Sequence, residues 1–170
     1  MGSGSTSRRS RKSTSTSSRW TYTEATFEVD TALATPRLTA GCLTTPCTQL
    51  VRKGDELPLI PKHRLNVGVD YHPRSWLTLS LTGSYVGTQW LRGDEANQER
   101  PLRGYFVLHG GVRAHWQQLT GFVQVNNLLN NRYETFGTFA PNPRRPGDPI
   151  ERFLTPAPPI HVLAGISYRF

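Results

Sequence analysis

Histidines, carboxylates and cysteines are the side chains here whose chemistry could define a site. The five histidines, His63, His72, His109, His115 and His161, are dispersed along the chain. They form neither an i,i+4 helical pair nor the His/carboxylate facial spacing that holds a transition metal. His109 and His115 share one face of a candidate strand, but six residues of extended chain set them about 20 Å apart. Polar strand or turn positions are therefore the better reading for all five. Asp55, Glu56, Asp94 and Glu95 could meet a cation, yet in loops they read better as solvated charge. Arg92, Gly93 and Asp94 match an adhesion tripeptide, but Lys53, Gly54, Asp55 and Glu56 repeat the same Gly-containing loop chemistry, so the match is incidental. No Ser/His/Asp set, glycine-rich phosphate loop or paired carboxylate stands out. No catalytic residue and no cofactor is assigned, and the chain is read as a non-enzyme.

Cys42 and Cys47, in the stretch CLTTPC, are the only cysteines. Four intervening residues and no nearby histidine argue against zinc. A small disulfide closing an exposed Pro/Thr-rich loop in an oxidising compartment suits them, with two unpaired thiols as the alternative. Asn126, Asn127, Asn130, Asn131 and Arg132 form a polar cluster. Strand termination and loop hydrogen bonding explain it better than ligand contact. Ligand contacts are expected in the loops at 37–61, 92–103 and 137–158.

The elements that would position these groups are strands. Six segments show a period of two: Thr21 to Leu33, Arg64 to Tyr71, Leu77 to Leu91, Tyr105 to Trp116, Leu119 to about Tyr133, and Ile160 to Phe170. The last sets Ile160, Val162, Ala164, Ile166, Tyr168 and Phe170 on one face, against His161, Leu163, Gly165, Ser167 and Arg169. No stretch has a convincing helical period. Connections alternate between long loops and tight turns at His72–Ser75 and Gln117–Gln118, which is the loop pattern of outer-membrane barrels. Strands one, three and five would then run outward, and two, four and six back.

Composition is compatible with that architecture. The 170 residues suit one domain, with a hydrophobic fraction of 36%, low for a soluble core, and no apolar run long enough for a transmembrane helix. Of the net charge of +8, five units come from Arg8, Arg9, Arg11, Lys12 and Arg19 in the acid-free residues 1–19. That Ser/Arg-rich segment lacks a signal-peptide h-region and reads as a disordered tail ahead of a domain at 20–170. With no groove-reading motif, nucleic acid is not an expected partner.

Each strand has an apolar and a polar face, and periodicity alone does not say what the apolar face meets. In a soluble sandwich it would be core. In a membrane barrel it meets lipid, while the polar face lines the lumen. The loop alternation, the aromatics near strand ends (Trp20, Tyr71, Trp90, Tyr105, Trp116, Tyr133, Phe170) and the small polar residues on the second face favour lipid.

From Tyr22 to Phe27 (YTEATF) onward, the sequence resembles the barrel of TonB-dependent outer-membrane receptors. Val51 to Leu65 resembles a loop entering a returning strand, and Tyr85 to Asn97 the next outward strand and its loop. The more specific pieces are Pro101 to Tyr105 (PLRGY), Val125 to Tyr133 (VNNLLNNRY) and Thr135 to Gly137. The ending, with Gly165, Tyr168 and Phe170, is similar to the C-terminal signal for barrel assembly, although Leu163 departs from the polar residue often found there. The resemblance implies uptake of ferric siderophores, haem or cobalamin across the outer membrane of a Gram-negative bacterium, driven through TonB. It also implies about twenty-two strands around a plug.

The expected fold is thus all-β: six antiparallel meander strands, the C-terminal segment of a large transmembrane β-barrel, behind a disordered tail. Expected partners are outer-membrane lipid, the remainder of the barrel and plug, TonB through an N-terminal part beyond this sequence, and the barrel-assembly machinery. Six strands cannot close in lipid, because an open edge leaves backbone groups unpaired. The chain is therefore expected to be a fragment. The rival reading is a soluble secreted β-sandwich or small barrel that binds a partner through its loops.

Overall fold

The computed structural model describes residues 12–37 and 47–170. They form ten strands: β1 Ser13–Tyr22, β2 Thr31–Thr35, β3 Cys47–Val51, β4 His63–Arg74, β5 Leu77–Val86, β6 Tyr105–Trp116, β7 Leu119–Asn126, β8 Glu134–Pro141, β9 Ile150–Pro156 and β10 His161–Tyr168. One six-stranded sheet runs in the order β1-β4-β5-β6-β7-β10, with every neighbouring pair antiparallel. β1 and β10 are its two edges, so the sheet is open. Two separate hairpins, β2–β3 and β8–β9, stand in the first and third long connections.

Register converts the period of two into continuous rows. On one face run Trp20–Leu65–Tyr85–Phe106, then Val69–Leu81–Gly110–Val125–Val162, then Tyr71–Leu79–Val112–Val123–Ala164, and finally Trp116–Leu119–Tyr168. Cross-strand neighbours of one kind at about 5 Å make that face apolar from β4 to β10. It is also uncovered: Val67, Leu81, Phe106, Val112, Val123 and Ile166 are all exposed. The opposite face carries Asn66–Ser84, Asp70–Ser80 and His115–Thr120, each pair hydrogen-bonded side chain to side chain. The fully buried side chains lie elsewhere, with Thr35, Cys47, Val51, Leu91, Asp94, Leu102 and Asn127 gathered at the loop end. Among the described residues no second sheet covers the apolar face, as a sandwich would require.

Four features depart from the sequence expectations. β1 begins at Ser13, inside the segment read as a tail; residues 1–11 lie outside the described residues. Ser13–Ser18 is drawn into the sheet by backbone pairing with β4, aided by the β-branched Thr14 and Thr16. It continues the sheet without the apolar row, placing Thr14, Thr16 and Ser18 beside Tyr71, Val69 and Val67.

The stretch read as one strand from Thr21 to Leu33 is interrupted after Tyr22. Beyond it only the bridge Thr26↔Glu56 forms before β2. The opposing segment contains Pro58 and Pro61, which have no N–H to donate, and Leu59 with φ 66°.

The outward strand expected to reach Leu91 ends at Val86, and that expected to reach Tyr133 ends at Asn126. In the second case Asn127 and Asn130 take left-handed backbone, with φ of 54° and 48°, which ends a strand. Lastly, two of the three long connections are not structureless, since each holds a hairpin.

Candidate functional site

The loop end of the sheet is where the three long connections meet. Asp94, completely buried, organises it. Arg37 donates through Nη1 to Asp94 Oδ1 at 2.6 Å and through Nη2 to Glu99 Oε1 at 2.6 Å. The backbone N–H groups of Gln98 and Glu99 donate to the same Asp94 carboxylate at 3.0 and 2.9 Å. A buried carboxylate needs such a shell, because an unpaired charge away from water is costly. The solvated role expected for Asp94 is therefore corrected.

Around this pair the three loops are cross-braced. Thr35 donates to Gly93 O at 3.1 Å, and Gln49 to Glu95 Oε2 at 2.9 Å, tying the first loop to the second. Asn97 bonds both the N–H and the C=O of Glu56, which holds the base of the first loop. The third loop joins through the parallel bridge Arg92↔Thr138 and through Phe139, whose ring lies 5.2 Å below the Arg37 guanidinium. Gly93 requires its φ of 93°, and a Cβ there would press on Pro36 and Phe139 at 3.2 Å. Arg92, Gly93 and Asp94 thus act as a junction between loops.

The acidic residues separate by role. Glu56 pairs with Lys62 at 2.8 Å, and this contact raises the Lys62 ammonium above its ordinary value. Asp55 accepts from the Arg52 N–H at 2.8 Å, closing the turn at Gly54. Among the described residues no group of three His, Cys, Asp or Glu side chains is placed to hold a metal ion. The histidines make no such group, although Asn126 bridges two of them and His72, His109 and His115 line one groove of the polar face. His109 bonds Asn126, His115 bonds Thr120, His161 bonds Asn126, and His63 stacks on Trp20. His72 lies with Asp70, Arg113 and Gln124 along the polar face.

In the asparagine cluster, buried Asn127 donates to Asn131 O and Pro158 O and accepts from Asn131 N at 3.0 Å. Asn131 in turn donates to Phe106 O, and Asn130 accepts from Ile160 N. These bonds fix the exit of β7 to the entry of β10, and Arg132 faces a neighbouring cleft. Cys47 is buried at the start of β3, opposite Thr35; Cys42 lies outside the described residues. At the other end of the sheet, the Phe122 ring covers Gly165, where a Cβ would come within 2.7 Å of it. Tyr168 donates to Gln118 Oε1 at 2.6 Å and meets Phe170 edge-on, and Phe170 is fully exposed.

An open antiparallel meander, apolar on one face, polar on the other, with long loops at one end, is a sector of a transmembrane barrel wall. Residues 13–128 match the family described as TonB dependent receptor-like, beta-barrel. The chain belongs to this family. Its members are transport receptors and not enzymes.

Solved structures carry the same fold. The siderophore receptor PiuA from Acinetobacter baumannii matches 74% of this chain with a TM-score of 0.58 at 16% identity. The ferric-catecholate import receptor Fiu from E. coli K12 matches 72% with a TM-score of 0.54 at 18% identity. The chain spans only about one sixth of each receptor, 16% and 18% of their lengths. No curated protein matches the sequence.

The site residues that sequence reasoning missed are Arg37 and Thr35. Their partners are 57 and 58 residues away, a separation at which nothing in the sequence pairs one charge with another.

Proposed function

We propose that this chain forms the C-terminal barrel wall of an outer-membrane receptor that takes up ferric siderophores or similar scarce nutrients. The observation that carries the reading is the pair of opposed faces: apolar rows running from β4 to β10, uncovered, behind hydrogen-bonded polar rows. In the proposal the apolar rows meet lipid, and the polar face, with Asp70, His109, Arg113 and Gln124, faces the plug. The braced loops form part of the ligand vestibule. Strand β10, with Gly165, Tyr168 and Phe170, serves recognition by the barrel-assembly machinery and pairs with a first barrel strand supplied by the rest of the receptor. Energy arrives through TonB, acting on the plug. A Cys42–Cys47 disulfide closes the first loop in this oxidising setting. The siderophore class is suggested by the printed names of PiuA and Fiu, and the low identity leaves the particular ligand to experiment.

The test is a chimera in which residues 13–170 replace the last six strands of a complete ferric-siderophore receptor. Insertion into the outer membrane with TonB-dependent uptake of labelled ferric siderophore is the expected result. A chain that is monomeric, cooperatively folded and soluble without detergent would overturn the reading.

A further inference from the structure

At the loop end of the sheet, the regular pairing of β6 with β7, from Trp116↔Leu119 to Gly110↔Val125, gives way to two single bonds, Leu128 N–H to Leu108 O and Asn131 Nδ2 to Phe106 O, and a cleft of about 520 Å³ opens beside them. Arg100, Arg103, Arg132 and Arg152 line it, together with Tyr105 and Tyr133, whose rings stack at 4.2 Å. Glu134 is the one acidic residue in the lining.

The gathering of four arginines is the unusual part. Arg52, Arg92 and Arg144 at the loop end also lack a carboxylate within 4.0 Å among the described residues but share no cleft of this kind. Elsewhere at the loop end, Arg37, Lys62 and Arg145 each hold a carboxylate. None of the four cleft arginines has a carboxylate of the described residues within 4.0 Å. Arg152 donates one Nη2 bond to Pro101 O at 3.4 Å, and its Nε is buried without an acceptor. Four like charges around one small volume, with Glu134 the one acidic residue beside them, repel one another, and a multiply charged oxyanion relieves that repulsion. Planar guanidinium forks suit phosphate oxygens in particular.

Position selects the source of the phosphate. Phe106 lines the cleft and also ends the apolar row nearest the loops, Trp20–Leu65–Tyr85–Phe106. The cleft therefore begins where the apolar band stops, at the depth at which lipid headgroups lie against a membrane protein. We propose that the Arg100/Arg103/Arg132/Arg152 cleft binds the phosphate of an anionic lipid headgroup, anchoring the loop end to the leaflet it faces. This rests on the reading of the apolar face as lipid-facing.

The test uses the receptor chimera that carries residues 13–170 as its last six strands, in phosphatidylcholine bicelles with and without phosphatidic acid, followed by phosphorus NMR and by lipid retention in native mass spectrometry. A second arm titrates soluble pyrophosphate into undoped bicelles. Retention of phosphatidic acid over phosphatidylcholine by about tenfold or more is expected, with a comparable loss in Arg103→Gln/Arg132→Gln. Arg144→Gln/Arg145→Gln, which removes two charges from the β8–β9 tip, should leave retention unchanged. Should the first variant lose β structure, Arg103→Lys and Arg132→Lys keep the charge but remove the fork, and each should weaken retention. Equal retention of both lipids overturns the proposal, as does equal retention by wild type and a folded Arg103→Gln/Arg132→Gln. Binding of pyrophosphate without lipid discrimination also overturns it, by reassigning the cleft to a soluble phosphate. A chimera that enters no bicelle at all, where the parent receptor does, defeats the membrane reading, which is a different failure from insertion without discrimination.

Discussion

Arg37 and Asp94, 57 residues apart, are joined at 2.6 Å in a contact that leaves the aspartate no exposed surface and the arginine 14%. The two residues sit on different loops, so the pair ties the first loop to the second, and Phe139 against the Arg37 guanidinium adds the third. Removing one partner of such a pair strands the other as a buried charge, at a cost of about 3 kcal/mol or more. Arg37→Ala is expected to release the segment 92–99, read as faster amide exchange at Gln98 and Glu99 and faster proteolysis of the second loop. Asp94→Asn should do less, since its amide oxygen can still accept from the Gln98 N–H that bonds Oδ1, and only the Glu99 N–H on Oδ2 loses its acceptor. Equal exchange in Arg37→Ala and wild type would mean that the pair does not hold the loops together.

The two faces of the sheet should respond oppositely to charge. Val67→Lys or Leu79→Arg places an ammonium or guanidinium in an apolar row. In a complete receptor carrying this segment, such a change should cost about 2–4 kcal/mol near the bilayer midplane and impair insertion. Thr82→Lys, one row away on the polar face between Gly68 and His109, should be tolerated for insertion. Heat-modifiable mobility of the folded barrel on gels reads both outcomes. Similar behaviour of the two classes would contradict the lipid-facing assignment.

Asn127 does two jobs that substitution can separate. Its side chain makes three bonds, and its backbone adopts a φ of 54° that most residues resist. Asn127→Gly keeps the backbone conformation and loses the bonds, with an expected local cost of about 1–3 kcal/mol for the unsatisfied groups. Asn127→Ala loses both, and should cost about 1 kcal/mol more. Amide exchange at Asn131, whose N–H bonds the Asn127 side chain, measures the difference. A milder effect for alanine than for glycine would show that backbone strain is not part of the role.

Much of the wall was legible in the sequence because a strand's burial pattern is local. Leu65, Val67, Val69 and Tyr71 alternate with polar residues within one short stretch, and β6 runs over the expected Tyr105 to Trp116. The loops were not legible in this way. Asp94 reads as surface charge until Arg37 is brought to it by a hairpin whose pairing depends on the rest of the rim. The Ser/Thr run of β1 has no apolar period at all, and only the free edge of β4 explains why it is a strand. The arginine cleft likewise draws Arg100, Arg103, Arg132 and Arg152 from three separate segments, none of which is basic enough to stand out alone.

The tip of the β8–β9 hairpin should loosen in acid. Glu151 accepts from Asn142 Nδ2 at 2.7 Å and from Arg145 Nη1, and these bonds, Asn142 first, hold its carboxyl below the ordinary value of 4.5. A carboxyl lowered in the folded state contributes its stabilisation above the unfolded value and loses it as pH falls through the folded one. The tip should therefore be insensitive to pH from neutral down to about 4.5 and then lose order below it. Amide shifts of Asn142 and Arg145 followed through an acid titration give the midpoint, and Glu151→Gln should flatten the curve. Because the pair is solvent-exposed, added salt should move the midpoint back toward 4.5 by screening Arg145, while the neutral Asn142 bond persists. A midpoint at or above 4.5 in low salt would mean that Asn142 and Arg145 do not hold the carboxylate in solution.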